Sequence, residues 1–304
     1  MFKVALIIPT LNGGGIFRNL IVSILKQSYQ PYRKIIIDSD SSDQTVILAQ
    51  KAGFEIVPIA RATFNHGMTR QQGVKMAVDA DIILFLTQDA VLADSEALVK
   101  LIESFLAADV GAAYGRQLPH VNAGPLEAHA RLFNYAAVSR VKTLEDVPVL
   151  GLKTAFISNS FAAYRRSALM SVGGFPANTI LGEDTYAAAK LLLNGWKVAY
   201  CAEAQVHHSH NYSFIQEFKR YFDIGVFQTR EPWIRANFGQ AEGEGFRYVI
   251  SEMKYLWKNH YKYLIPAACT RTVLKYVGYK LGIMEKKIPN FAKIHLSMHK
   301  RYWR

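Results

Sequence analysis

Two apolar runs that each end in a carboxylate constrain this chain most. Residues 82–90 read Ile-Ile-Leu-Phe-Leu-Thr-Gln-Asp-Ala, so the run stops at Asp89, and the isoleucines at 35–37 lead directly into Asp38. A buried strand with an acid at its carboxyl end is where an open α/β sheet places a ligand or a metal. Because both ends lie in the first third of the chain, they predict a nucleotide site between them.

The remaining pattern predicts an α/β fold. Strands are predicted over residues 4–9, 34–37, 55–59, 82–86, 155–164 and 197–201, and helices over residues 17–27, 44–52, 69–78, 95–106, 167–172 and 184–194. This alternation implies right-handed βαβ units and a mostly parallel sheet flanked by helices. Residues 111–200 are less regular, and the pattern beyond residue 213 is helical and aromatic. We predict one domain over 1–210 and a basic helical extension over 211–304 that packs on it.

Positive charge is concentrated in that extension. The chain has a net charge of +12, and residues 211–304 hold 17 Lys/Arg against 7 Asp/Glu. This asymmetry predicts an anionic partner: nucleic acid, an anionic membrane surface or a phosphorylated substrate. No nucleic-acid recognition motif accompanies the charge. The two cysteines, Cys201 and Cys269, form no metal or disulfide framework and favour a reducing compartment.

Membrane contact is expected only at the surface. The chain begins with an apolar strand and not with a secretory leader. No apolar stretch approaches the ~20 residues that cross a bilayer.

The glycines at 13–15 follow a strand and precede a helix, which suggests a phosphate loop. Their spacing matches neither GxGxxG nor GxxxxGK, since Arg18 stands where the last dinucleotide glycine belongs. A flexible turn is therefore the favoured interpretation, with a phosphate cradle as the alternative.

Three groups of acids are candidates for chemistry. Asp38 ends a strand and can accept an N–H from a pyrimidine base, whereas Asp43 is better explained as a helix cap. Asp89 offers an oxygen ligand for a hard divalent cation, with a solvated turn as the alternative. Glu183 and Asp184 start a helix, where acids are usually dipole partners, but a carboxylate beside the flexible Gly173–Pro176 loop could also serve as a general base.

A histidine cluster and one arginine complete the candidates. His208 and His210 follow a strand with the spacing that puts them on one side, which fits a metal ligand plus a phosphate contact. Polar packing at the strand end is the alternative. Arg70 lies near the start of a predicted helix, where its guanidinium and the helix amides could hold an anion.

In order and spacing, these segments resemble family 2 glycosyltransferases with the GT-A fold over about residues 3–210. The segments that carry the resemblance are Ile7-Ile-Pro-Thr-x-Asn12, Ser23-Ile-Leu-x-Gln27, Asp38-x-x-Ser-x-Asp43-x-Thr45, Asp89, Gly173-Gly-Phe175, Glu183-Asp184 and Val206-x-His208. The finer pattern is similar to rhamnosyltransferases that use dTDP-L-rhamnose. It rests on Phe64-Asn-His-Gly-x-x-Arg70, Thr87-Gln-Asp89, Gly115-Arg-Gln-x-Pro119, Phe156-x-Ser-Asn159 and His208-Ser-His-Asn-Tyr212, and extends to Lys219-Arg-Tyr-Phe222 and Lys275-Tyr-x-Gly-Tyr-Lys-x-Gly282.

The resemblance implies an inverting transfer of a sugar from a nucleotide-sugar to a hydroxyl. It implies that Asp38 holds the base, that Asp89 binds Mg²⁺ or Mn²⁺ with support from His208, and that Asp184 is the general base. Arg70 is then an inferred second diphosphate contact. The further expected contacts are Pro9, Thr10, Asn12 and Gln88 for the nucleotide-sugar, and Arg116, Asn159, Glu183 and His210 for the sugar or acceptor.

The sequence departs from the family pattern at two positions. Ser39 stands where a second acid is common after the second strand, which puts direct ribose contact in doubt. Thr87 stands where the first acid of Asp-x-Asp is common, which weakens the expected hold on the metal.

The sequence thus predicts a metal-dependent rhamnosyltransferase that extends a lipid-linked glycan of a surface polysaccharide. Its expected location is the cytoplasmic face of the inner membrane, with the basic extension against anionic lipid and no nucleic-acid partner. The alternatives are a family 2 enzyme with a UDP-sugar donor, a nucleotidyltransferase, and a polyanion-binding protein without catalysis.

Overall fold

The computed structural model describes residues 2–239 and 242–303. Nine strands lie in these ranges: β1 Val4–Thr10, β2 Arg33–Asp38, β3 Glu55–Pro58, β4 Ile82–Leu86, β5 Val91–Leu92, β6 Val110–Leu118, β7 Arg140–Lys142, β8 Phe161–Arg165 and β9 Lys197–His207. The α-helices are α1 Gly14–Leu25, α2 Thr45–Lys51, α3 His66–Met76, α4 Ala97–Glu103, α5 Pro125–Asn134, α6 Val147–Leu150, α7 Arg166–Ser171, α8 Glu183–Leu193, α9 Phe214–Arg230, α10 Pro232–Phe238, α11 Glu242–Lys258, α12 Ile265–Ile283 and α13 Asn290–Leu296.

All nine strands of the described chain belong to one sheet. The order is β3-β2-β1-β4-β8-β6-β9-β5, and β7 pairs with β9. Strands β1 to β4, β6 and β9 run in one direction, while β5, β7 and β8 run against them. The predicted α/β fold with a mostly parallel, helix-flanked sheet is confirmed.

The central strands are apolar because helices cover both faces of the sheet. Every residue of β4 is buried, as expected of a strand without a solvent face. Helix α1 packs its buried face, made of Phe17, Leu20, Ile21 and Ile24, on one side. The carboxyl ends of β1, β2 and β4 consequently meet at one edge.

The C-terminal helices share a core with the sheet. Phe222 and Phe227 of α9 and the near-terminal Trp303 belong to the same buried cluster as Ile7 of β1 and Phe85 of β4. Helices α9 and α10 and the turn at Trp303 thus contribute to the core on the second face of the sheet. The division of the chain at residue 210 stays a prediction.

Helices α9 and α12 contact each other through glycines. A Cβ on Gly278 would lie 2.4 Å from the Phe218 carbonyl oxygen, and one on Gly282 would lie 2.1 Å from that of Phe222. A Cβ on Gly225 would lie 2.4 Å from the Tyr279 oxygen. Only glycine permits this backbone approach.

Several predicted boundaries are wrong, and the errors lie in the middle of the chain. The strand predicted over 155–164 begins only at Phe161, because residues 151–155 form a 3₁₀ turn. Strand β6 was not predicted, since its small residues give no clear alternation. Strand β9 extends beyond the predicted end at residue 201 to His207. In the described residues, no helix has the length and apolar character needed to cross a membrane.

Candidate active site

The carboxyl ends of β1 and β2 form the first part of the site. Asp38 is 4% exposed, and Thr10 is its partner in the strand register. Its Oδ1 accepts hydrogen bonds from the hydroxyls of Thr10 (2.8 Å) and Ser41 (2.6 Å), and its Oδ2 accepts one from the Ser41 amide (2.8 Å). A carboxylate oxygen accepts more than one hydrogen bond, so Oδ2 retains capacity for a ligand donor.

The glycine loop is held by side chains of the next loop. The Gly13 amide donates to Thr45 Oγ1 and the Gly14 amide to Asp43 Oδ2, at 2.8 and 2.9 Å. Asp43 Oδ1 also accepts from the Thr45 amide at 2.9 Å, as a helix-capping acid would. Asn12 has φ 48°, and its Oδ1 accepts from the Ser42 amide at 2.8 Å. The side chains of Asn12, Asp43 and Thr45 therefore fix the path of the chain into α1.

Gln88 joins the end of β4 to the end of β1. Its Oε1 accepts from the Leu11 amide at 2.8 Å, and its Nε2 donates to the Leu11 carbonyl at 3.1 Å. These two hydrogen bonds fix the distance between the loop that contains Asp89 and the loop that follows Thr10.

A cavity opens beside these strand ends. Its wall consists of Pro9, Thr10, Leu11, Ser39, Arg61, Phe64, Gln88 and Arg301. The Ser39 hydroxyl is buried and has no hydrogen-bond partner among the described residues. A buried, unpaired hydroxyl on the wall of a cavity is positioned to bind a polar ligand group.

Asp89, His208 and His210 form a compact cluster. Asp89 Oδ1 lies 3.4 Å from His208 Nε2, and Asp89 Oδ2 lies 3.7 Å from His210 Nδ1. Burial alone raises the pKa of Asp89, but the hydrogen bond and charge of His208 outweigh it and hold that pKa well below its usual range. Burial and His208 lower the pKa of His210 to about 3, so its imidazole is neutral.

Gln117 of β6 determines which nitrogen of His208 faces this cluster. Its Oε1 accepts from Arg131, which can only donate, and the same oxygen lies 2.9 Å from His208 Nδ1. Its Nε2 donates to Ser158 Oγ at 2.9 Å. Because an oxygen in this position must accept, Nδ1 carries a proton, which leaves Nε2 as the nitrogen that faces Asp89.

The cluster fits a divalent cation. A proton or a metal ion can lie between His208 Nε2 and the Asp89 carboxylate, and the ligand atoms of Asp89, His208 and His210 all lie within 4.8 Å of one another. Two imidazole nitrogens and one carboxylate suit Mn²⁺, and fewer protein ligands are usual when a diphosphate supplies the others.

Asp184 lies in the first turn of α8. Its Oδ2 accepts from the Asn159 amide at 3.2 Å, and its Oδ1 accepts from the Thr185 amide at 2.7 Å. Burial and the neighbouring Glu183 raise the pKa of Asp184 to about 6, against the opposing effect of the backbone donors and Arg70. A carboxylate of this basicity is suited to accept a proton near neutral pH.

Glu183 has a different environment. It is 5% exposed, its Oε1 lies 3.0 Å from Arg70 Nη1, and it accepts from Asn159 Nδ2 at 3.1 Å. Although burial raises the pKa of Glu183, Arg70, His66 and Asn159 lower it overall. The Asn159 Oδ1 in turn accepts from the Tyr164 hydroxyl at 2.8 Å. Arg70 is 4% exposed, so this group forms a buried ion pair behind Asp184.

Hydrogen bonds connect the predicted acids across one edge. Asp38 contacts Thr10, and Gln88, next to Asp89, contacts Leu11. Asp89 contacts His208, and Gln117 bonds both His208 and Ser158. The next residue, Asn159, donates its amide to Asp184. Arg116 is half-buried on β6, where its Nε has no described partner. The sequence does not predict roles for Gln117, Arg131 and Arg301. The residues that surround each of them at the site are distant in the sequence.

A mostly parallel sheet whose strand ends carry a polar cavity, an Asp–His cluster and a carboxylate of raised pKa defines a glycosyltransferase of the GT-A fold. Solved structures share this fold. A mannosyltransferase from Pyrobaculum calidifontis in complex with GDP-Man and Mn²⁺ has a TM-score of 0.57 at 15% identity and covers 99% of this chain and 85% of that one. TarS 1-349 of S. aureus in complex with UDP-GlcNAc has a TM-score of 0.56 at 13% identity, with 94% and 91% covered.

The chain belongs to glycosyl transferase family 2, whose family model matches residues 5–173. It is 50% identical to the O-antigen chain rhamnosyltransferase RfbN of Salmonella typhimurium over 99% of this chain and 96% of that protein. It is 47% identical to the O-antigen chain rhamnosyltransferase WbaN of Salmonella anatum over 98% and 95%. The predicted family and enzyme class are confirmed.

Proposed function

We propose that this protein transfers L-rhamnose from dTDP-L-rhamnose to a hydroxyl of a lipid-linked glycan in O-antigen biosynthesis, with inversion at the anomeric carbon. The observation that carries the proposal is 50% identity over 99% of the chain to an O-antigen chain rhamnosyltransferase. The cavity and the Asp–His cluster at the same sheet edge support a nucleotide-sugar donor.

In this proposal, the nucleoside binds at the ends of β1 and β2. Pro9, Thr10 and Gln88 line its cavity, while Asp38 and Asn12 contribute from the adjoining loops. Asp89 and His208 hold Mg²⁺ or Mn²⁺, and His210 is a third candidate ligand. The bound ion would neutralise charge that develops on the leaving diphosphate.

Asp184 acts as the general base. Its carboxylate takes the proton of the acceptor hydroxyl, and that oxygen attacks the anomeric carbon from the side opposite the diphosphate. The buried ion pair of Glu183 and Arg70 fixes the start of α8, so Arg70 acts more through position than as a direct diphosphate contact. Arg116, Asn159 and His210 remain proposed contacts of the sugar or acceptor.

A transfer assay tests the proposal. The protein with Mg²⁺ and a lipid-linked acceptor should consume dTDP-L-rhamnose, and Asp184→Asn should abolish transfer while dTDP binding survives. Asp109→Asn, at an exposed acid, is the matched control. Near-normal turnover of Asp184→Asn would exclude Asp184 as the base.

A panel of nucleotides tests the donor separately. The preferred nucleotide should raise the melting temperature most, because a ligand stabilises the state it binds. Stronger stabilisation by UDP than by dTDP would show that the donor is a UDP-sugar, while the transferase assignment would stand.

We further propose that residues 1–210 form the catalytic domain and that residues 211–304 rest on the cytoplasmic face of the inner membrane. Helix α11 and the following turn expose Phe246 (71%), Trp257 (62%) and Tyr263 (72%). Lys262 lies with its Nζ 3.8 Å from the Trp257 ring centroid. Exposed aromatic rings beside cations suit an anionic lipid interface.

A further inference from the structure

Residues 297–303, which we term the C-terminal strap, are anchored on helix α9. The strap begins at Ser297, which is fully buried, and the Met298 amide donates to Asp223 Oδ2 at 2.9 Å. It ends at Trp303, which is 8% exposed and whose ring centroid lies 6.3 Å from that of Phe222. Both ends of the strap are therefore fixed to α9.

The middle of the strap contacts α9, the loop at Asn178 and the start of α3, which follows the cavity-lining Phe64. The His299 ring meets the His66 ring edge to face, with 5.2 Å between centroids. The Tyr302 hydroxyl accepts from Arg230 Nη1 at 2.8 Å and donates to the Asn178 carbonyl at 3.1 Å. These contacts place the exposed Arg301 at the edge of the cavity.

Arg301 forms part of the cavity wall and has no partner of its own among the described residues. It lines the cavity together with Thr10, Ser39, Arg61 and Phe64. Among residues 2–239 and 242–303, it makes no hydrogen bond and no ion pair, and the buried Ser39 hydroxyl in the same wall is also unpaired. A cation and a hydroxyl without partners, next to an aromatic ring, form an incomplete polar site.

We propose that the C-terminal strap completes the nucleoside end of the donor site and that Arg301 binds the pyrimidine nucleoside directly. A guanidinium group only donates hydrogen bonds, and the carbonyl oxygens of a pyrimidine base accept them. The planar guanidinium can also stack on the base. The metal candidates Asp89, His208 and His210 do not line this cavity. The diphosphate therefore belongs with that cluster and the nucleoside with Arg301. This inference rests on the proposed donor chemistry.

Binding of thymidine and dTDP to the full-length protein tests the inference. Thymidine is followed by ligand-detected NMR and dTDP with Mg²⁺ by calorimetry. We expect Arg301→Ala to weaken the binding of both ligands by a similar factor, roughly tenfold, because a hydrogen bond from a charged donor is stronger than one between neutral groups. Arg301→Lys, which keeps the charge but lacks the planar fork, should recover little of the loss.

Lys300→Ala is the matched control, since it removes a neighbouring exposed cation that does not line the cavity. Unchanged thymidine binding by Arg301→Ala, or a loss confined to dTDP, would overturn the inference. An equal loss in Lys300→Ala would also overturn it, since only general charge would then matter. A wild-type protein that binds no pyrimidine nucleotide contradicts the proposed donor itself, whereas binding that Arg301→Ala leaves intact contradicts this inference alone.

Discussion

The pKa values of two neighbouring acids in this protein shift in opposite directions because their surroundings differ. Glu183 and Asp184 are neighbours in the first turn of α8. Arg70 lowers the pKa of Glu183 against the effect of burial and keeps it ionised, whereas burial and the negative charge of Glu183 raise the pKa of Asp184 to about 6. The acid with a cationic partner is structural, and the acid beside another acid is the better proton acceptor.

The activity should depend on pH through Asp184. A general base works in its ionised form, so kcat/KM should rise with pH through about 6 and level off above it. A pH series with saturating metal and acceptor measures this. A profile that is flat from pH 5 to 8 would contradict a base with this pKa.

Removal of one partner from the buried Arg70–Glu183 pair should destabilise the fold strongly. Arg70→Met leaves Glu183 buried without a cation, at a cost of about 3–5 kcal/mol in the free energy of unfolding. The exposed pair Lys197–Asp109 provides the control, because Lys197→Ala should cost less than about 1 kcal/mol. Urea unfolding compares the two, and equal losses would contradict a structural role for Arg70.

Gln117 should control metal affinity without contact with the metal. Gln117→Leu removes the acceptor that keeps the proton on His208 Nδ1, so Mn²⁺ affinity with dTDP present should fall about tenfold or more. Gln117→Glu retains an acceptor and should lose less. Electron paramagnetic resonance of free Mn²⁺ measures both, and equal affinities in Gln117→Leu and wild type would refute this orienting role.

At the scale of elements, the close approach of α9 and α12 positions the C-terminal part. Gly225, Gly278 and Gly282 each lie where a Cβ would overlap a backbone atom of the facing helix. The cost of glycine within a helix is offset here by the contact between backbones. Helix α9 also carries Asp223, which anchors the C-terminal strap.

Substitution of these glycines should be costly in spite of the higher helix propensity of alanine. Gly282→Ala should lower the free energy of unfolding by about 1–3 kcal/mol, because the two helices must separate. Gly245→Ala in α11, where nothing lies within 4 Å of the added Cβ, should be neutral or stabilise by about 0.5–1 kcal/mol. Chemical denaturation of both variants tests the contrast, and a neutral Gly282→Ala would show that the helices adjust freely.

At the scale of the whole molecule, the C-terminal helices have two different surfaces. Their inner side buries Phe222 and Trp303 in the core of the sheet. Their outer side exposes aromatic and basic residues of α11 and the turn after it. The concentration of positive charge is therefore compatible with an ordered fold, since the cations lie mainly outside the shared core.

Binding to vesicles should follow this charge. Lys254→Gln combined with Lys258→Gln should weaken binding to anionic vesicles roughly 30-fold, from about 1 kcal/mol per lysine. Sedimentation with anionic and with neutral vesicles, at low and high salt, measures the effect. Equal binding to neutral vesicles, or none to anionic ones, would exclude an electrostatic membrane surface.

Local pattern determined the strands that end in Asp38 and Asp89, because a buried parallel strand is a continuous apolar run and its ligand groups follow it directly. The helical pattern over residues 184–194 likewise placed Asp184 in the first turn of α8. Only the tertiary structure decided that Arg70 pairs with Glu183, that Gln117 orients His208, and that Arg301 reaches the cavity beside Thr10. These contacts join residues that are far apart in the chain, and their geometry depends on strand order and helix packing. The hydrophobic periodicity of the sequence cannot predict such contacts, because it indicates which side of an element is buried and not which residue packs against it.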